Sequence, residues 1–246
     1  MRPIALTLLL AACTAPNASA TGDDSPAPDL AEAPAPQLDG RAAAEDLARP
    51  APPPDLATPK PKKKVLPFTW QGEQQYYMCG PSATRMALST QMANPPSQDA
   101  LGNYMGTTSN GTDDISLVRG ALDHYLGTSF QTTYLPNDPP SQNEQDALRQ
   151  ALVASIDAGY GLVANIVAGW RPPFYPQSGT IYHYIALVGY DDGGAKVLVA
   201  DPAATGCGDG LCGDSSSAFY NVPESYWIAT SDLGEWIVPK GYAYHP

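Results

Sequence analysis

No aromatic residue precedes Phe68, although the 246-residue chain carries 14 tyrosines, four tryptophans and four phenylalanines from that point on. Residues 21–64 also hold 10 of the 26 prolines and many alanines. A stretch of this composition cannot bury enough apolar surface to offset chain entropy, so it reads as a disordered, Pro/Ala-rich linker. The globular part is expected over residues 65–246, a common size for one domain.

Basic side chains are scarce too. The chain has a net charge of -12, and over residues 65–246 only Arg85, Arg119, Arg149, Arg171, Lys196 and Lys240 face 17 acidic residues. Phosphate binding relies on clustered Lys and Arg, so a nucleic-acid partner is excluded. The one basic run, Lys60 to Lys64 interrupted by Pro61, reads as a solvated part of the linker. Walker loops, dinucleotide fingerprints and a Gly-x-Ser-x-Gly elbow are missing, which removes the common nucleotide-binding and serine-hydrolase classes. Asn110-Gly111-Thr112 matches a glycosylation sequon in form and reads equally well as turn chemistry.

The apolar run Ile4 to Ala12 is too short to cross a bilayer, and behind the lone charge of Arg2 it reads as a signal peptide over residues 1–20. An exported protein, extracellular or held in the cell envelope, is expected. Two processing readings stand. Leu10-Ala11-Ala12-Cys13 resembles a bacterial lipobox with Cys13 as the lipidated residue, for which a proline-rich spacer makes sense. Ala18-Ser19-Ala20 fits ordinary small-x-small cleavage. A lipid on Cys13 is the sole membrane attachment that the sequence indicates.

Cysteines number four. Cys207 and Cys212 enclose a Gly-Asp-Gly-Leu loop, and in an oxidising compartment such a close pair reads as a disulfide that rigidifies a turn-rich excursion after Asp201. A structural zinc site needs about four ligands, and neither Cys-x-x-Cys nor His-x-x-x-His occurs, so no metal or cofactor is expected. Cys79 is left without a partner, and catalysis is a leading use for such a thiol.

Cys79-Gly80-Pro81 reads as the start of a helix running to about Gln91, with Pro81 at its first position. Cys79 is thereby placed where free N–H groups and peptide dipoles favour a thiolate. Asp114 caps a second helix carrying Ile115, Val118, Leu122 and Tyr125 and ending at Gly127; Ser141-Gln-Asn-Glu144 is a capping box for a third that stops before Gly159. Leu162–Ala168, Ile181–Tyr190 and Lys196–Ala200 read as strands, the last two joined by a turn at Asp191–Gly194, and a further strand is expected near Phe219 to Val222. Helices first and an antiparallel sheet second indicate an α+β domain.

Activating a thiol requires a base held in one orientation by a third group. Only three histidines are available. His124 falls opposite the apolar face of its helix, and His245 is penultimate in a terminus expected to fray. His183 lies inside a strand whose hairpin partner ends at Asp201-Pro202, so the carboxylate can reach its imidazole.

Gln71, the run Tyr76-Tyr77-Met78-Cys79-Gly80-Pro81-Ser82-Ala83-Thr84-Arg85-Met86-Ala87-Leu88, the strand His183 to Asp191, and Val199-Ala200-Asp201-Pro202-Ala203 together resemble the cysteine peptidase domains that cleave double-glycine leaders from bacteriocin precursors, and most closely their free-standing secreted relatives. The resemblance spans nearly all of residues 65–246. It implies a papain-like fold, with Cys79 as nucleophile, His183 as general base and acid, and Asp201 as the orienting carboxylate. It also implies an upstream glutamine whose amide steadies the oxyanion. The expected spacing of about six residues falls on Glu73, which cannot donate when ionised; Gln71 and Gln74 are the nearest candidates, and Gln71 is preferred because Trp70-Gln71 ends the entry segment as such glutamines do. The implied activity is thiol-dependent cleavage of a peptide or amide bond through an acyl-enzyme, on a peptide or protein with small residues before the scissile bond. Two other classes keep the same fold: a tethered extracellular binding module, and an acyl transferase that passes the acyl group to an amine. Mass spectrometry of the unreduced protein is expected to find Cys207 linked to Cys212 with Cys79 free; a disulfide through Cys79 in active protein would remove both assignments.

Overall fold

A computed structural model describes residues 61–168, 174–175, 180–204 and 222–246, all within one unit, Ala57–Pro246. In chain order they form β1 (Lys64–Val65), α1 (Cys79–Leu88), α2 (Gln98–Met105), α3 (Ile115–Leu126), β2 (Gln131–Tyr134), α4 (Gln142–Asp157), β3 (Leu162–Ala168), β4 (Ile181–Asp191), β5 (Lys196–Ala200), β6 (Ser225–Ala229), α5 (Thr230–Ile237) and β7 (Gly241–Tyr244). The strands make one antiparallel sheet ordered β2-β7-β3-β4-β5-β6. β1 continues along the edge of β4 beyond the end of β3, pairing Lys64 with Tyr190 and Val65 with Gly189.

Helices cover both faces, and β4 accordingly is buried without interruption from His183 to Tyr190. On one face Leu148, Leu152 and Ile156 of α4 and Leu233 and Trp236 of α5 pack against Leu162, Ile185, Leu187 and Val199. On the other, Ala83, Ala87 and Leu88 of α1 and Val118 and Leu122 of α3 meet Val163, Tyr184 and Ala243. The domain is thus α+β, with helices packed on an antiparallel sheet.

The two capped helices expected from the sequence, α3 and α4, lie where the sequence puts them. Asp114 accepts from Ser116 N at 2.8 Å, and Gly127 closes α3 with a left-handed backbone at φ 64. Ser141 and Glu144 form a reciprocal capping box on α4. α1 ends at Leu88 and not near Gln91. Ser89 Oγ and Thr90 Oγ1 donate back to Met86 O and Ala87 O, both at 2.7 Å, and the chain turns there. The first helical residue of α1 is Cys79, so Pro81 stands third, still within the turn that lacks intrahelical N–H partners.

Ordered chain begins before residue 65. Lys63 pairs with Asp191 at 3.2 Å, Lys64 Nζ donates to Asp157 O, and Gly193 N donates to Lys62 O, so residues 62–64 touch the domain while Lys62 and Lys63 remain exposed. His245 is likewise held, not frayed: its N–H donates to Ser155 Oγ at 3.1 Å and its ring stacks on Tyr160 at 4.1 Å. Among the described residues, the first strand beyond Asp201 is β6, at Ser225–Ala229. Residues 205–221, which include Cys207, Cys212 and most of the strand expected near 219–222, lie outside the described residues, as does the leader with Cys13.

The pairing of β1 with β4 depends on Gly189, which follows a register shift between Leu187 and Gly189. A Cβ there would sit 2.9 Å from Lys64 O and 3.1 Å from Val65 Cα, both backbone atoms with little freedom to move. Gly189→Ala is expected to destabilise the domain by about 1–3 kcal/mol in chemical denaturation and to speed amide exchange at Leu66, whose N–H donates to Val188 O. Unchanged exchange at Leu66 would show that β1 tolerates the methyl group.

Candidate active site

Antiparallel pairing of β4 and β5 brings His183, the third residue of β4, and Asp201, the first residue after β5, to the same end of the sheet. His183 Nε2 donates to Asp201 Oδ1 at 3.0 Å, and neither side chain is exposed by more than 4%. Cys79 reaches this end as the first residue of α1, 7% exposed. Its sulfur, a ring nitrogen of His183 and a carboxylate oxygen of Glu73 lie within 4.8 Å of one another. Because Nε2 is committed to Asp201, Nδ1 is the nitrogen left to face the sulfur.

A carboxylate buried to 0% exposure needs donors on every lone pair. Asp201 has them. Oδ1 accepts from His183 Nε2 and from Ala203 N at 3.0 Å, while Oδ2 accepts from Tyr175 OH at 2.7 Å and Tyr226 OH at 2.8 Å. Its backbone is fixed as well, since Trp70 Nε1 donates to Asp201 O and Asp201 N donates to Glu224 O.

Burial by itself would push the Asp201 carboxyl up, yet the charge of His183 and the bonds from His183, Tyr175 and Ala203 hold it below the ordinary carboxylate value. Burial by itself would lower His183; the charge of Asp201 and the bonds to Asp201 and Cys79 carry it well above the ordinary imidazole value. Both tyrosines are pushed well above the usual phenol value, by burial first and then by Asp201, so they remain donors.

The segment before α1 is strapped over this cluster. Gln98, 3% exposed at the start of α2, donates from Nε2 to Gly72 O at 2.8 Å and accepts at Oε1 from Gln74 N at 3.0 Å. Glu73 N donates to Pro202 O at 3.1 Å. Glu73 is thus held on both sides and tied to the residue after Asp201, which turns its buried side chain toward Cys79 and His183. Gln71 is fixed by its carbonyl, which accepts from Ser82 Oγ at 3.0 Å, so its backbone lies against the first turn of α1; Gln74 is exposed. At Gly80 an added Cβ would collide with Thr112, so the residue next to the thiol must remain small.

The structure therefore gathers Cys79, His183 and Asp201. His124 is exposed and stacks on Tyr104. Tyr175, Tyr226 and Gln98 escaped sequence reasoning, since each stands in a segment with no motif of its own. Glu73 had a signal, its six-residue spacing from Cys79. Among the described residues Cys79 is a free cysteine.

Residues 63–233 match the model of the Peptidase_C39 like family. A search among curated proteins finds no match. Among solved structures the chain is similar to a C39-like peptidase from Bacillus anthracis, with 14% identity, a TM-score of 0.45, and 76% of this chain and 98% of that one covered. It is similar also to the peptidase domain of Streptococcus ComA, a bifunctional ABC transporter (14% identity, TM-score 0.41, 74% and 98% covered), and to xylellain, a cysteine protease from Xylella fastidiosa (12%, 0.42, 75% and 85%).

Asp201 as an anion contributes stability that is fully present above the ordinary carboxylate value of 3.8 and is lost as pH falls through its lower folded value. His183 contributes below 6.5, and that part is lost as pH rises through its higher folded value. Tyr226→Phe removes one donor to the charged carboxylate. The variant is expected to be less stable by about 1.5–3 kcal/mol at neutral pH, with the deficit shrinking in acid as Asp201 takes up a proton. Denaturation midpoints of both proteins across pH measure this; a deficit independent of pH would mean that the hydroxyl only fills space.

Proposed function

The chain belongs to the Peptidase_C39 like family and is a cysteine peptidase, and from that premise we propose that Cys79, His183 and Asp201 are its catalytic triad. The observation that carries this reading is the meeting of a thiol at a helix N-terminus with an imidazole whose far nitrogen is bound to a buried, fully hydrogen-bonded carboxylate. In this reading the Cys79 thiolate attacks the carbonyl carbon of a peptide or amide bond. Negative charge gathers on the oxygen, and backbone N–H groups at the start of α1 together with the Gln71 side-chain amide receive it. His183 gives its Nδ1 proton to the departing amine, which leaves an acyl-enzyme. The neutral imidazole then takes a proton from water, whose oxygen attacks the thioester and frees Cys79.

Asp201 fits the role of orienting group because its ties to Tyr175, Tyr226 and Ala203 leave its Oδ1 in one place for His183. Gln71 is supported as the oxyanion residue by the Ser82 bond that lays it along the first turn of α1. Small residues before the scissile bond suit a nucleophile only 7% exposed beside the crowded Gly80–Thr112 approach. Export through residues 1–20, with attachment through a lipid on Cys13, completes the reading. Among the described residues, no helix is long and apolar enough to cross a membrane.

Iodoacetamide labelling and peptidase assays across pH test the assignment. At mildly acidic pH, Cys79 is expected to react faster in the native protein than after denaturation. The alkaline limb of activity should lie above 6.5, the ordinary imidazole value, because Asp201 holds the proton on His183. Gln71→Ala is expected to lower kcat by about 10²-fold or more, and Cys79→Ala to abolish turnover. Native labelling no faster than that of the unfolded chain would remove Cys79 as an activated nucleophile.

A further inference from the structure

Glu73 is not used by the triad. Its carboxylate nevertheless forms a compact set with the Cys79 sulfur and a His183 nitrogen, all within 4.8 Å of one another and all buried. One sulfur, one imidazole nitrogen and one carboxylate oxygen are the donor types that divalent zinc takes, whereas magnesium and calcium prefer oxygen alone. Around a tetrahedral ion with bonds of about 2.0–2.3 Å the donor atoms would stand somewhat closer together than they do here, a closure within the reach of side-chain rotation.

Two features prepare this set for a cation. The first is the second partner of the imidazole. A metal-bound histidine is oriented by giving its other N–H to a carboxylate, and His183 already donates from Nε2 to Asp201 at 3.0 Å, leaving Nδ1 toward the cluster. The second is the rigidity of the carboxylate's support: Gln98 clamps the backbone on both sides of Glu73, and Glu73 N is bonded to Pro202 O.

We propose that Glu73, Cys79 and His183 form a site for a zinc-type divalent cation, with three protein ligands and a fourth position open to water, and that the bound ion holds the peptidase inactive. On binding, the one proton that Cys79 and His183 Nδ1 hold between them goes to solvent, and the sulfur and Nδ1 each direct a lone pair to the metal while Nε2 keeps its N–H toward Asp201; no electron is transferred. The inhibitory consequence rests on the catalytic reading above, while the metal site itself does not.

The test uses the purified full chain, reduced and stripped of metal by a chelator. Iodoacetamide labelling is mapped at Cys79, with and without zinc chloride. Zinc is expected to slow labelling of Cys79 about tenfold or more, EDTA to reverse this, and Glu73→Gln to raise the zinc concentration needed by about tenfold or more. Unhindered labelling at millimolar zinc overturns the site, and so does unchanged protection in a folded Glu73→Gln protein. Should Glu73→Gln fail to fold, cobalt(II) chloride added to the parent chain decides. A thiolate-to-cobalt charge-transfer band that disappears in Cys79→Ser, with absorption typical of four-coordinate cobalt, supports the site; a band that persists in Cys79→Ser, or none, overturns it. Slow labelling of metal-free Cys79 would count against the catalytic reading alone, because the cobalt spectrum reads the metal site independently of activity.

Discussion

A carboxylate sealed from solvent must draw all its hydrogen bonds from the protein, and Asp201 draws them from widely separated segments. The donors are His183 on β4, Tyr226 on β6, Tyr175 between β3 and β4, and the backbone of the turn at Ala203. The main chain of Asp201 is bound in addition to Trp70 before α1 and to Glu224 before β6. Each hydrogen bond to the charged carboxylate that is lost costs about 1.5–3 kcal/mol, so the donors must arrive together. The carboxylate therefore holds the end of the sheet, the strap before α1 and the histidine in a single arrangement.

From that constraint the electrostatics of the site follow. Asp201 stays ionised because it is fully bonded, and its charge keeps a proton on His183 against the effect of burial. His183 stands next to Cys79, which opens α1 at the positive end of the helix. The same low-dielectric surroundings bring the Glu73 carboxylate within 4.8 Å of both groups. One cluster of side chains thus serves both the proposed catalysis and the mixed donor set of the proposed metal site.

Legibility followed the range of the interaction behind each element. α3 and α4 could be placed because Asp114 with Gly127, and Ser141 with Glu144, settle their ends within a few residues. β3, β4 and β5 stood out as runs rich in Val, Ile and Leu that fill both faces of a covered sheet. β2 and β7, four residues each and rich in Thr, Tyr and Gly, carry no such pattern and exist because they pair with one another. α5 has Gly234 in its interior, a poor helix residue in isolation, and the structure shows its use: a Cβ there would press on the Gln145 side chain of α4. α2 had local signals in Ser97, which accepts from Ala100 N, and Gly106, left-handed at φ 67.

Of the site, the sequence by itself determined the placement of three residues: a cysteine opening a helix, a histidine inside a strand and an aspartate at the end of the strand that follows. Each is legible because short-range rules position it, and the hairpin between β4 and β5 then makes the histidine and aspartate neighbours. Tertiary structure alone decided that Tyr175 and Tyr226 hold Asp201, that Gln98 fixes the strap, and that Glu73 faces the sulfur. These contacts join residues far apart in the chain, and no local propensity ties a lone tyrosine or glutamate to a partner that only packing of the sheet against its helices brings within reach.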